Sequence, residues 1–281
     1  MHTVLESIAT ANPPFKISKN QILTFSSKLE GMSPKLCDRA AKIYENSGID
    51  HRYTCIQDYL TEPPNFSFYP NNWGLNPVPS TFDRNQLYQL YATKIAISAA
   101  QQVIEDTKLN SEHITHLIVV SCTGFSAPGL DVRLIQKLGL RNDVDRTMIG
   151  FMGCCAAFNG LKTAHAICQS NPNAKVLLVC VELCTLHFQN ENSLENIVIN
   201  AIFGDGAAAA ILSSQSNNDA NGKLAYIDGA SALADDTFDL MSWTIGNTGF
   251  LMGLSPRVPD AIVQHLPNYL TQLLDRIRNP R

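Results

Sequence analysis

Apolar and polar positions along this chain follow two periods, and the switches between them lay out the elements. Helical spacing runs through Leu87, Leu90, Tyr91, Ile95, Ala96, Ala99, Val103 and Ile104, which predicts one long helix over 84–107. Ahead of it, residues 18–30 read as a helix with Ser18 as N-cap and Gly31 as stop. Ser33-Pro34 then opens a second helix with proline at its first position. Residues 48–53 read as a loop, and 62–82, rich in Pro and Asn, as an irregular loop laid over the core. Beyond the long helix the pattern alternates. Residues 116–122 form an unbroken apolar run, as a strand buried on both faces requires. A helix over 128–138 stops at Gly139, and a strand over 146–151 leads into a helix over 154–169. Residues 171–173 are a turn, 175–181 a second buried strand, 194–203 a short helix and 207–212 a strand. Strands separated by helices in this order predict an α/β layered architecture.

Serine and asparagine at 213–221 mark a boundary, after which 223–233 reads as a strand. Gly246-Asn247-Thr248-Gly249 between apolar flanks at 241–245 and 250–254 is a hairpin signal, and Pro259 opens a last helix. The second part begins as the first does, which suggests a duplicated βαβ architecture. Residues 1–220 would be its N-terminal half and 221–281 the start of a C-terminal half, cut short.

At 281 residues, 45% hydrophobic and 16% charged, the composition suits a compact soluble protein with a sizeable core. A net charge of −4 gives no global basic field for nucleic acid. No apolar run reaches membrane-spanning length, and the first residues lack the pattern of a signal peptide. Eight cysteines without a signal point to reduced thiols and a cytoplasmic protein. No paired Cys-x-x-Cys occurs, and Cys180 and Cys184 fall on a strand and its exit, so no metal is expected.

The candidate chemistry lies at 148–164, where an apolar strand, a turn at Gly153 and a helix of small residues meet at Cys154 and Cys155. A cysteine at a helix N-terminus feels the positive end of the macrodipole. That lowers its pKa and suits it to attack a thioester and carry the acyl group. The alternative is that both cysteines are small apolar residues. Lys35, Arg39 and Lys42 share one face of the second helix, as either a solvated basic face or a phosphate dock.

The segment Gly153-Cys154-Cys155-Ala156-Ala157 resembles the nucleophile motif of the type III polyketide synthases, the chalcone synthase family. Thr123-Gly124-Phe125-Ser126-Ala127-Pro128-Gly129, Phe203-Gly204-Asp205-Gly206-Ala207-Ala208-Ala209 and the stretch from Gly249 to Pro259 are similar to further motifs of that family, in order. The resemblance implies a thiolase-like fold, a duplicated βαβαβ core layered α-β-α-β-α whose second half is incomplete here. It implies Cys154 as nucleophile, because it directly follows the glycine, and Phe203 as the aromatic gate between a CoA tunnel and the reaction cavity. Cys122, Thr123, Cys184, His187 and Met252 would line the cavity, and Arg39 and Lys42 would meet CoA phosphates. His187 is a wall residue rather than a base in this reading, and His165 a packing residue.

The implied activity is acyl transfer: a starter acyl-CoA, fatty acyl by the bacterial-like motifs and soft wall residues, is loaded on Cys154. It is condensed with malonyl-CoA by decarboxylation and cyclised to a pyrone or resorcinol-like ring. CoA thioesters are the substrates, with no separate cofactor. The implied partner is a second copy, in a homodimer packed along 123–129 and 154–164, with Ala127 approaching the partner's cavity. The family's His-Pro-Gly-Gly histidine and later asparagine are expected beyond Arg281, since His265 sits in Gln264-His265-Leu266-Pro267, a different context. A single-condensation ketoacyl synthase of the same fold, or a truncated relic without turnover, are the alternatives.

Overall fold

The computed structural model describes residues 2–216 and 222–278. In chain order the elements are β1 (His2–Ala11), β2 (Phe15–Ser18), α1 (Lys19–Lys28), α2 (Pro34–Asn46), β3 (His51–Thr54), α3 (Thr81–Thr107), β4 (His116–Ser121), α4 (Leu130–Leu138), β5 (Asp145–Gly150), α5 (Ala156–Ser170), β6 (Lys175–Leu183), α6 (Leu194–Ile202), β7 (Asp205–Gln215), β8 (Leu224–Tyr226), β9 (Met241–Gly246), β10 (Gly249–Leu254) and α7 (Val258–Arg278).

Six strands form one mixed sheet in the order β5-β4-β6-β7-β1-β8; β4 runs parallel to β5 and β6, and β7 and β1 are antiparallel. The apolar runs are unbroken because both faces are covered. Leu117, Val119, Leu177, Val179 and Ile211 join the core formed with α3 and α4, while Ile118, Val120, Val176, Leu178 and Leu212 pack with Ala156, Ala164 and Cys168 of α5. Gly160 lets α5 approach: a Cβ there would fall 2.7 Å from Leu178 Cδ1 and 3.2 Å from Val120 Cγ2.

Capping fixes where the helices begin. Ser18 and Gln21 form a reciprocal capping box at α1, and Ser80 and Asp83 another at α3. Gly31 and Gly139 follow α1 and α4 at φ of 89° and 64°. Arg84, fully buried in α3, donates to the carbonyls of Pro79, Leu186 and Phe188, and Gly249 N–H donates to Thr81 Oγ1 at 2.8 Å. The β9-β10 hairpin is thereby tied to the start of α3.

Two expectations need correction. Residues 48–53 are not all loop: His51–Thr54 pairs antiparallel with Phe15–Ser18, turning Arg52 and Thr54 inward. The strand expected over 223–233 is only Leu224–Tyr226, because β1 offers it three partners, Thr3 to Leu5. The N-terminal residues, to which the sequence reading assigned no element, form β1, inserted between β7 and β8 with a register shift between Leu5 and Ser7. The boundary at 213–221 lies partly outside the described residues, and β7 continues to Gln215. Among the described residues no helix is long and apolar enough to cross a membrane.

Candidate active site

A cavity of about 610 Å³ runs between the sheet, α2, α6 and the β9-β10 hairpin. Its wall contains Cys154, Phe203, Cys122, Thr123, Cys184, His187 and Met252, so one space gathers all seven residues singled out for catalysis and substrate binding.

The backbone between β5 and α5 presents Cys154. Phe151 has φ 56° and Gly153 φ 74°. A left-handed phenylalanine costs roughly 1–2 kcal/mol, and this one lines the cavity with its ring 5.6 Å from that of Phe250. Helix α5 begins at Ala156, with Cys155 in the N-cap position making no side-chain cap bond and Cys154 one residue further out. The expected lowering of the Cys154 pKa is therefore corrected. Burial and the neighbouring Glu182 carboxylate raise it above the ordinary thiol value, and the backbone only partly opposes them. The macrodipole is strongest within the first helical turn, and Cys154 precedes it.

Glu182, at the end of β6, is the residue that the motifs did not reveal. Cys122 N–H donates to its carboxylate oxygens at 2.8 and 3.0 Å, and the Thr123 hydroxyl donates to it at 2.6 Å. Burial nevertheless pushes its pKa up from 4.5 to about 7. Leu183 N–H donates to Thr123 Oγ1 at 2.8 Å, which fixes that hydroxyl toward the carboxylate. Cys122 Sγ lies 3.9 Å from the carbonyl oxygen of Gly153, the residue before the nucleophile candidate. Burial also raises the thiols of Cys122 and Cys184.

His187 is held at both ring nitrogens. Nε2–H donates to the Thr123 carbonyl at 2.8 Å, and Nδ1 accepts from Phe250 N–H at 2.9 Å. Its ring stacks on Phe250 at 4.2 Å and meets Trp243 edge-on. Burial lowers its pKa to about 4. A neutral imidazole with no free nitrogen is a wall and a clamp, and cannot serve as a base in this arrangement. Trp243 Nε1–H closes the clamp on the Cys122 carbonyl at 2.9 Å.

Phe203 caps the C-terminus of α6 and faces the cavity. Arg39 and Lys42 lie exposed on α2 and are not brought into the cavity; from that helix only Tyr44 lines it. His165 bonds Thr3 Oγ1 at 2.8 Å and packs on Tyr226, away from the site. Outside the cavity, Phe125, Met148, Met152 and Phe158 form exposed apolar surface on and beside edge strand β5. Among the described residues no group of three or more His, Cys, Asp or Glu side chains is placed to hold a metal ion.

The family model described as chalcone and stilbene synthases, N-terminal domain, matches residues 3–216. The chain is 27% identical over 274 residues to the α-pyrone synthesis polyketide synthase-like Pks18 of Mycobacterium tuberculosis, covering 96% of this chain and 67% of that one. It is 34% identical over 235 residues to polyketide synthase 37 of Dictyostelium discoideum, covering 83% of this chain and 8% of that much longer one. Among solved structures, PKS-I from the brown alga Ectocarpus siliculosus superposes with a TM-score of 0.89 at 32% identity, over 96% of this chain and 73% of that one. The C-terminal type III polyketide synthase domain of Steely1 from Dictyostelium gives 0.89 at 25% identity, over 100% and 75%.

Proposed function

Starting from its membership of the chalcone and stilbene synthase family, with the thiolase-like fold of its type III polyketide synthase neighbours, we propose that this chain carries the acyl-loading half of a polyketide synthase reaction. In this reading Cys154 attacks an acyl-CoA thioester, the Cys154 sulfur gains the acyl group, and CoA leaves as its thiol. Malonyl-CoA then loses carbon dioxide, and the resulting carbanion takes the acyl group from sulfur. Repeated extension and cyclisation would give a pyrone or resorcinol-like product.

The observation that carries the proposal is the turn that places Cys154 on the wall of a cavity shared with Phe203. A volume of about 610 Å³ lies within the roughly 300–1,000 Å³ usual for small-molecule sites. Walls built from Ile17, Ile22, Val120, Ile199, Phe250 and Met252 favour an aliphatic starter, so a fatty acyl-CoA is the proposed donor. Phe203 would separate the carrier from the reaction space. Arg39 and Lys42, exposed on α2, would meet CoA phosphates outside the cavity. The apolar surface around β5 and the start of α5 supports a homodimer, which sedimentation at micromolar concentration would test; a monomer throughout would reject it.

The site is tested by incubating the chain with a fatty acyl-CoA and locating the added mass by peptide mass spectrometry. Acyl mass on Cys154, absent in Cys154→Ser, is expected. Acylation of Cys155 or another residue with Cys154 bare would overturn the assignment.

A further inference from the structure

Arg52 is a buried cation without a partner. It is 5% exposed, and its Nε, Nη1 and Nη2 are all buried without a hydrogen-bond acceptor. Its stem runs beneath Gly204, where an added Cβ would lie 3.5 Å from Arg52 Cγ, and its guanidinium sits over the Tyr44 ring at 5.2 Å. The ring offers a π face but no anion, since burial pushes the Tyr44 phenol up to about 12. Arg52 takes part in none of the ion pairs among the described residues. A buried charge of this kind is costly unless something pairs with it, and a guanidinium cannot escape by losing its proton.

Arg52 also borders the cavity that contains Cys154, between Tyr44 of α2 and the Phe203-Gly204 turn, with Asn200 of α6 on the same wall. Its three nitrogens are closed off from open space in this structure, so a ligand on that wall reaches them through a shift of the Arg52 side chain. A planar fork of N–H donors matches the two oxygens of a carboxylate. We propose that Arg52 is a carboxylate-binding site within the substrate cavity, and that the acyl thioester itself supplies the carboxylate. This rests on the reading of the cavity as an acyl-thioester site. Two thioesters carry that group: the malonyl extender, next to its thioester, and a starter acid ending in a second carboxylate.

Isothermal titration of the 281-residue chain carrying Cys154→Ala, which removes the acyl acceptor, tests this with two matched pairs. Malonyl-CoA and propionyl-CoA differ only in whether the last carbon is a carboxylate or a methyl group, as do adipoyl-CoA and hexanoyl-CoA. With Arg52 present, the carboxylate member of at least one pair binds about tenfold tighter or more. The pair showing the preference identifies the source. Arg52→Gln equalises that pair, and Arg52→Lys, which keeps charge without the fork, retains part of the preference. Equal affinities in both pairs with Arg52 present would overturn the proposal, as would a preference unchanged in Arg52→Gln. Should the Gln variant fail to fold, the unsubstituted Arg52 and the Lys variant decide by the same comparison. Binding of hexanoyl-CoA without any carboxylate preference removes the Arg52 site alone, whereas failure of all four thioesters to bind removes the thioester reading and the Arg52 site with it.

Discussion

Replacing Glu182 with Gln should make the protein more stable above neutral pH and slightly less stable in acid. In the folded chain burial raises the Glu182 pKa from 4.5 to about 7. An acid whose pKa is raised by folding stabilises the native state fully below its unfolded value. That stability is lost as pH rises from 4.5 through 7. Each pH unit in that window removes about 1.4 kcal/mol, so the whole effect is about 3 kcal/mol. Glutamine cannot ionise and escapes the loss, but it presents one oxygen where Cys122 N–H and the Thr123 hydroxyl now find two. A neutral substitution of that kind costs about 1 kcal/mol at every pH. The wild type should therefore lead by about 1 kcal/mol near pH 4.5, cross the variant between pH 5 and 6, and trail by about 2 kcal/mol from pH 7.5 upward. Asp205, also raised to about 7, and His187, lowered to about 4, give both proteins a pH dependence that cancels in the difference. Urea unfolding at constant ionic strength, from pH 4.5 to 8.5, measures this through tryptophan fluorescence, because Trp243 bonds the Cys122 carbonyl beside Glu182. A difference that is flat with pH, or that moves toward the wild type as pH rises, refutes the burial argument.

Three further outcomes follow from the same geometry. Iodoacetamide should modify Cys154 faster in Glu182→Gln than in the wild type at pH 8, with little difference at pH 6, where the carboxyl is already protonated; equal rates at pH 8 would contradict the assigned coupling. Nitrogen-detected NMR should show His187 as the Nε2–H tautomer, neutral down to about pH 5, and protonation near pH 6.5 would mean that its clamp on Thr123 and Phe250 is open. Gly160→Val should destabilise the chain by roughly 2 kcal/mol, since a Cβ at 2.7 Å from Leu178 already overpacks the α5–sheet contact; an unchanged urea midpoint would show that α5 can move away from the sheet.

The central sheet was legible because β4 and β6 bury both faces, and an apolar run with no polar interruption has few other uses. The hairpin was legible from Asn247 and the flanking glycines, and the first two helix starts from Ser18 and Ser33, which cap them. Strand β1 was not, because only Thr3 and Val4 are fully buried and its pairing with β7 connects positions about two hundred residues apart. Strand β3 was hidden because it is only four residues long and pairs with β2, itself four residues long, with Phe15 opposite Thr54 and Ser18 opposite His51. At the site, the residues singled out by motif order, Cys154, Phe203 and five wall residues, line one cavity. Glu182 was missed although a carboxylate within an apolar strand is a visible anomaly, and Arg52 was missed because its meaning depends on which atoms fail to meet it. The direction of the Cys154 pKa was misread because burial, together with the Glu182 carboxylate of β6, outweighs the backbone at a residue that lies ahead of the first helical turn.

Burial acts on the whole cavity wall in one direction: it holds Glu182, His187 and the thiols of Cys122, Cys154 and Cys184 toward their neutral forms. Arg52 cannot follow, since its guanidinium keeps its proton even where burial lowers its affinity for it. Below pH 7 the wall therefore carries a fixed positive charge beside Tyr44 and Gly204, and above pH 7 it gains a negative one beside Cys122 and Thr123. In the proposed reading, a ligand carboxylate would be drawn to the first and repelled from the second, leaving its thioester for the turn that carries Cys154. The Cys154 thiolate is scarce under the same conditions, and the Glu182 carboxylate makes it scarcer above pH 7. Acyl loading on Cys154 should accordingly climb with pH less steeply than a free thiol would, and Glu182→Gln should restore the missing slope. A loading rate independent of pH between 6 and 9 would mean that the thiolate is already formed, and that the electrostatics of this wall are not what controls it.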